Sequence, residues 1–345
     1  MKKLLFGLLA AYLMSCGPSL PTGEDAPRSA PVIVRNGFAT VLGADGIAYG
    51  VTLPKAGAPV VTALPVADAY GVGDRCVIDR RGTVWRHNPG TMTTEPIEFP
   101  KPVKKYIAFG NYDMLLYADG SLSLLLPALL GMEPRPDPEG KYLERVDLAS
   151  FPPLRDAIAG GTDDEMYILG LDEAGGVHIA GGNRKGTWSY LLPGLQDTFL
   201  TRAVRVPDLP PIRRIGKLDP AYFPCAIDAQ GVAHYWAAGK NDPSKIQQLE
   251  PAVAYTYADR LRTRDGQFFR PAFASGHRSA KLEPVPVGKL PDAYVFRRTK
   301  DYSLQRYGIG LNGEFIVGMA DSSRDRPPRL DTVPDLRVDL SFFQQ

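Results

Sequence analysis

Hydrophobic and polar positions in this chain group into short bursts, and the bursts recur. The clearest is Val103–Leu124, VKKYIAFGNYDMLLYADGSLSL, which reads as a strand, a second strand, a turn at Asp119-Gly120 and a third strand. Asp-Gly between two apolar runs predicts a two-residue type I′ hairpin, with positive φ at both turn positions. The nearly unbroken apolar run Met114–Tyr117 predicts a strand covered on both faces.

Aligning the chain on the turn glycine gives Gly46, Gly82, Gly120, Gly175, Gly231, Gly266 and Gly313, spaced 35 to 56 residues apart. Asp45, Asp119, Asp265 and Asn312 precede four of them. Two residues after the glycine stand Ala48, Val84, Leu122, Val177, Ala233, Phe268 and Phe315, all apolar, as inward positions of a third strand should be. The sixth copy is the weakest, because Arg262 stands where its relatives carry Leu or Ile. Ahead of each hairpin, proline followed by an aliphatic residue marks the start of a first strand: Pro65-Val66, Pro102-Val103, Pro153-Leu154 and Pro211-Ile212, with looser forms at Pro31, Pro251 and Pro291.

A sheet this small cannot bury both faces alone. The expectation is therefore an all-β fold over residues 31–345, a seven-bladed β-propeller of short antiparallel sheets packed face to face in a ring. An open β-solenoid is the rival, and the uneven repeat length counts against it. The C-terminal stretch Pro334–Leu340 repeats a blade opening with no hairpin after it, which suggests that it closes the ring by pairing in the first blade. Pro31–Arg35 competes for the same place.

Val103–Gly110, Met114-Leu115-Leu116 and Asp119–Leu122, echoed by Leu154–Gly161 and by Arg81–Trp85, resemble the repeat of the regulator of chromosome condensation family. The resemblance is strong in copies two to five and poor in copies six and seven. It implies a seven-bladed propeller and no single function: members include a nuclear exchange factor, and a secreted bacterial β-lactamase inhibitor is similar in architecture.

The N-terminus changes the picture of location. Lys2 and Lys3 precede the apolar run Leu4–Met14, too short to span a bilayer, and Leu13-Met14-Ser15-Cys16 resembles a bacterial lipobox. The reading is a signal peptide over 1–15, a lipidated Cys16 carrying diacylglycerol and a further acyl chain such as palmitate, and a flexible tether over 16–30. An ordinary secretory signal with a chance cysteine is the alternative. Gly17 matches lipoproteins sent to the outer membrane of a Gram-negative envelope, with the body facing periplasm or surface. The chain holds 40 Lys and Arg against 38 Asp and Glu, and losing Lys2 and Lys3 leaves it formally neutral. There is no basic field for nucleic acid.

Candidate chemistry is sparse. Cys76 and Cys225 fall at matching points of different copies, too far apart for a disulfide, and read as buried thiols. His87, His178 and His234 follow turn glycines in different copies, so they form no metal-ligand spacing, and His277 adds none. Gly308–Gly313 fits GxGxxG but lies in the seventh hairpin; GGNRKGT, 181–187, has Thr187 where a P-loop lysine belongs. Asp163-Asp164-Glu165 reads as a solvated loop, with calcium as the weaker alternative. No cofactor, metal site or catalytic set is expected.

The long connections Pro127–Ser150, Gly182–Leu209 and Arg270–Leu290 share one phase of the repeat, so they should emerge near one rim, where repeat proteins often bind. Trp188, Tyr190, Tyr235 and Trp236 lie in or beside them and are candidate partner contacts; covering the outer blade edges is the equal alternative. The reading is a lipid-anchored, non-catalytic module that binds protein. A glycan-binding module comes second and a propeller hydrolase or lyase third.

Overall fold

The computed structural model describes residues 30–341 except 36–37, 53–57, 74, 89, 110–111, 126–144, 161–166, 182–202, 219–222, 236–246, 250–252, 258–259, 264–266, 274–279, 285–292, 299–305 and 320–328. The described strands form seven four-stranded antiparallel sheets, each built from four strands consecutive in sequence. Blade 1 is β1 (Val32–Arg35), β2 (Phe38–Leu42), β3 (Ala48–Thr52) and β4 (Val60–Ala63). Blade 2 is β5 (Ala69–Gly73), β6 (Cys76–Asp79), β7 (Val84–His87) and β8 (Thr94–Ile97). Blade 3 is β9 (Val103–Phe109), β10 (Tyr112–Tyr117), β11 (Leu122–Leu125) and β12 (Arg145–Asp147). Blade 4 is β13 (Leu154–Gly160), β14 (Tyr167–Asp172), β15 (Val177–Gly181) and β16 (Val204–Arg205). Blade 5 is β17 (Ile212–Leu218), β18 (Phe223–Asp228), β19 (Ala233–Tyr235) and β20 (Gln247–Leu249). Blade 6 is β21 (Val253–Tyr257), β22 (Arg260–Thr263), β23 (Phe268–Phe273) and β24 (Ala280–Pro284). Blade 7 is β25 (Ala293–Arg298), β26 (Arg306–Gly310), β27 (Glu314–Met319) and β28 (Arg329–Arg337).

The first strands β5, β9, β13, β17 and β21 contact one another in succession, so strand one of blades 2 to 6 lies innermost. The fourth strand was not foreseen. It lies inside what the sequence reads as connections, because strands as short as β12 and β16, or as exposed as β4 and β8, carry little apolar alternation.

Apolar side chains of the second strands of blades 3 and 4 point alternately to the two neighbouring blades, which explains the run Met114–Tyr117. Met114 and Leu116 join a cluster with Leu154, Ala157 and Ile168 of blade 4, whereas Leu115 and Tyr117 join Tyr70, Ile78 and Val84 of blade 2. Blade 4 repeats the device, with Leu169 and Leu171 packed against Ile212 and Ala226 of blade 5.

The hairpin turn is not the expected type I′. Glycines 46, 82, 120, 175, 231 and 313 take φ of +79° to +87°, but the residues before them are absent from the positive-φ set. In blade 3, Gly120 N–H donates to Tyr117 O at 3.0 Å and Tyr117 N–H donates to Ser121 O at 2.9 Å; blades 2, 4 and 5 repeat both bonds. This is a three-residue loop, a type I turn followed by a left-handed glycine. Asp119 sits at a turn position that needs no positive φ, and its carboxylate instead accepts from Ser121 N–H at 3.0 Å.

In blades 2, 3 and 4 the turn glycine also fastens the blade to the next. Gly82, Gly120 and Gly175 carbonyls accept from Val103, Leu154 and Ile212 N–H, each at 2.9 Å. A Cβ on Gly120 would lie 2.6 Å from Leu154 N, and one on Gly82 would lie 2.6 Å from Pro102 Cβ. Blade 2 departs from the proline rule: Pro65-Val66 follows β4, and β5 opens only at Ala69, after Asp68 in a left-handed conformation.

Both candidates for ring closure take part, in succession. In blades 2 to 7 the first residue of strand one pairs with the residue three before the turn glycine, as in Val103↔Tyr117 and Leu154↔Asp172. In blade 1 that partner is Gly43, and the residue facing it is Val338. Val338 N–H donates to Gly313 O at 2.8 Å and Ala44 N–H to Arg337 O at 2.8 Å, the bonds other blades make with their own opening residues. Val32–Arg35 supplies the remainder of the inner strand by pairing with Phe38–Val41. The Pro334–Arg337 part of the segment belongs to β28 in blade 7, so only its tail reaches blade 1. Val338, Val333 and Leu336 share one core with Val32, Val41 and Val51.

Candidate functional site

The strand order gives the ring two unlike faces. Antiparallel neighbours place the turns between second and third strands on one face, together with the start of every first strand. The connections between third and fourth strands begin and end on the other. The longest of these span 126–144 and 182–202, and only their strand ends lie within the described residues. Two of the three long connections read from the sequence thus share one phase of the repeat; Arg270–Leu290 is not a third, because β23 runs to Phe273 and β24 occupies Ala280–Pro284.

Of the four aromatic residues proposed as contacts, Trp188, Tyr190 and Trp236 lie outside the described residues, as do Cys16, His277 and Asp163–Glu165. Tyr235 ends β19 and is buried, at 5% exposure, so it offers no exposed ring. Its burial pushes the phenol pKa up, with a further push from Cys225. Gly308–Gly310 lies in β26 and Gly313 in the hairpin after it, so GxGxxG there is a strand and a turn.

Cys76 and Cys225 are buried thiols that take part in no disulfide. Burial drives the Cys225 thiol strongly up, away from the reactive thiolate. Among the described residues no three His, Cys, Asp or Glu side chains come together as a metal site. No helix of those residues is long and apolar enough to cross a membrane.

Two arrangements on the hairpin face escaped the sequence reading. The first is a carboxylate clamp at the turn. Asp228 Oδ1 accepts from Gln230 and Val232 N–H, both at 2.9 Å, and Asp228 Oδ2 pairs with His234 Nε2 at 2.9 Å. Asp172 repeats this with Gly176 N–H at 2.7 Å and His178 Nε2 at 2.8 Å. Asp79 repeats it with Arg81 and Thr83 N–H at 2.9 Å and with Trp85 Nε1–H at 3.0 Å. The legible signal is Asp-x-x-Gly-x-x-His/Trp, present at Asp79, Asp172 and Asp228. His178 and His234 are therefore turn clamps. His87 differs: it is buried at the end of β7, with Nε2 3.1 Å from Thr40 Oγ1 of blade 1.

The second arrangement is a β-bulge just inside the start of the first strand. Lys104, Arg155 and Arg213 are each the extra residue of such a bulge, as are Tyr70, Ala254 and Tyr294 in other blades. A bulge re-aims side chains, and it turns Tyr70 toward blade 3 and Arg155 toward blade 5. Arg155 Nη2 donates to Ile212 O at 2.9 Å and Arg213 O at 2.7 Å. The following residue also bridges blades, since Lys105 Nζ meets Asp156 Oδ1 at 2.7 Å. The inner rim of blades 3 to 5 is consequently lined by Lys104, Lys105, Arg155, Asp156, Arg213 and Arg214.

These features define a β-propeller whose hairpin face is clamped by carboxylates and whose inner rim is mixed in charge. Among solved structures the chain is similar to yeast RCC1 (Prp20) bound to Kap60, at 14% identity and a TM-score of 0.50, covering 81% of this chain and 78% of that one. Prp20p from Saccharomyces cerevisiae, in a study of its binding to Gsp1p and histones, matches at 13% identity and 0.47, covering 71% and 69%. The Myceliophteria thermophila Cps50 (Swd1) β-propeller domain matches at 10% identity and 0.44, covering 86% and 96%. No family model matches the chain, and no curated protein matches it. The likeness establishes the propeller fold.

Proposed function

We propose that this protein is a lipid-anchored, non-catalytic propeller of the bacterial cell envelope that binds a protein partner through its long connections. The observation that carries the reading is the asymmetry of the faces: hairpin turns and the links from blade to blade on one, and every connection between third and fourth strands, including the two longest, on the other. Variable insertions held on a rigid ring suit recognition. Propellers similar in fold bind proteins, among them yeast RCC1 with Kap60 and BBS1N with ARL6DN. Cys16, acylated after cleavage of residues 1–15, would hold the body at the outer membrane, in the periplasm or at the surface.

Two experiments test this. An alkyne-bearing palmitate analogue fed to expressing cells should label the protein and fail to label Cys16→Ser. Capture from the cross-linked envelope should return a protein partner that is lost with Trp188→Ala and Trp236→Ala together. Labelling independent of Cys16 overturns the anchor, and unchanged capture overturns the contact surface.

A further inference from the structure

We infer that the inner rim between blades 3 and 4, on the hairpin face, is a binding site for a carboxylate, with Lys104 as the group that holds it. Lys104 is the bulged residue of β9 and is only 7% exposed. No hydrogen bond or ion pair engages its ammonium among the described residues. A lysine so placed is unusual, because an ammonium largely removed from water and engaged by no hydrogen bond is costly. Its equivalent in blade 4, Arg155, spends its guanidinium on carbonyls of blade 5, so the same bulge position is occupied there and unused here.

The surroundings select the ligand. The charges acting on Lys104 are Glu173, Asp156, Lys105 and Arg155, and burial lowers its pKa against the help of the two carboxylates. Lys105 is already matched by Asp156. Counting Lys104, Lys105 and Arg155 against Asp156 and Glu173 leaves one positive charge. One carboxylate group balances it, and a dicarboxylate can leave its second charge in solvent, whereas a phosphate dianion would bring both charges against the two acidic side chains. Access is from the hairpin face, where Pro153, Glu173 and Arg213 are exposed. A carboxylate arriving there converts an unpartnered ammonium into a charge-assisted hydrogen bond in a partly dry setting. The site is separate from the connection face and stands or falls independently of the partner proposed for it.

The carboxylate can come from an acidic peptide or from a small free dicarboxylate, and calorimetry on the full-length chain distinguishes them. The probes are a capped hexaglutamate peptide, its hexaglutamine counterpart, succinate and inorganic phosphate. Hexaglutamate, succinate or both should bind, hexaglutamine should not, and phosphate should bind more weakly than the better carboxylate. Lys104→Met keeps the aliphatic stem and removes the charge, so the fold is retained; binding should weaken about tenfold or more. Lys104→Arg should stay within about threefold of the parent. Binding by succinate alone identifies the small-molecule source, and binding by the peptide alone identifies the polypeptide. Silence of both carboxylates at about 10 mM, equal affinity in Lys104→Met, or phosphate binding more tightly would each overturn the assignment.

Discussion

Replacing Gly120 with alanine tests how one blade is fastened to the next, and Gly46→Ala is its internal control. Both glycines are left-handed, with φ of +80° and +79°. Holding alanine there costs about 1–2 kcal/mol, of which about 0.4–1 is regained from the stiffer unfolded chain, so strain alone leaves a net cost near 1 kcal/mol. At Gly46 nothing lies within 4 Å of the new methyl, and strain is the whole effect. At Gly120 the methyl would fall 2.6 Å from Leu154 N and 2.9 Å from Leu154 O. That is roughly 1 Å inside optimal separation, and backbone cannot swing aside. Blade 4 must back away, weakening the 2.9 Å bond from Leu154 N–H to Gly120 O and loosening a leucine that is 1% exposed. Those losses add about 1 kcal/mol for the hydrogen bond and about 1–2 for packing. The expected destabilisation is about 3–4 kcal/mol for Gly120→Ala against about 1 for Gly46→Ala. Urea denaturation followed by tryptophan fluorescence measures both. Costs that agree within about 0.5 kcal/mol would show that the glycine serves the turn alone, and that the contact between blades carries no weight.

Removing the clamp donor with His234→Ala should cost about 1–3 kcal/mol, since Asp228 is left buried and short of a partner; a change below about 0.5 in urea midpoint analysis would deny the clamp. Burial pushes the Asp228 carboxyl up, yet His234 and the Val232 and Gln230 N–H groups outweigh it, so its pKa falls below the usual value. A depressed folded pKa stabilises fully above the unfolded value of about 3.9 and is lost as pH falls through the folded one, so Asp228→Asn should flatten the acid limb of the stability profile. For Asp119, partial burial raises the pKa, but Lys101 and Ser121 pull it down to about 2. Carbon-detected NMR should find its carboxyl titrating there and returning toward the ordinary value in Lys101→Met. Deleting Arg337 onward removes Val338 and three hydrogen bonds at the seam of blades 7 and 1, those of residues 337–339 with Ala44, Gly313 and Leu42, at a cost of about 3–5 kcal/mol, read as a lower melting temperature.

Much of the ring was legible because three signals coincide most fully in copies three to five: an opening proline, a doubly apolar second strand and a turn glycine. In blades 2, 3 and 4 the glycine does two things, bending the chain and admitting the next blade, and both exclude a side chain. Its type of turn was misread because Asp-Gly suits either a two-residue type I′ loop or the end of a type I turn, and the dipeptide does not fix loop length. The fourth strand escaped for a different reason. An outer strand is paired on one edge and wet on much of its surface, so Val60 at 57% exposure or the TEPI of β8 leaves no apolar rhythm.

The sites were legible in proportion to how locally they are made. The Asp-His clamps span six residues and leave a countable signature at Asp172 and Asp228, visible once the histidine is counted from the glycine and not from its fellow histidines. Lys104 has no local mark that separates it from Lys105; only the bulge, which offsets β9 by one residue against β10, sends one lysine to Asp156 and leaves the other unmatched. Ring closure lies further still from local reading. Val338 and Val32 are nearly the whole chain apart, and each looked sufficient to open blade 1 because each carries half of the same strand. Sharing that strand between the two ends makes the first and last blades mutually dependent. A propeller whose other sheets are each continuous in sequence is thereby joined at the one seam where sequence continuity is missing.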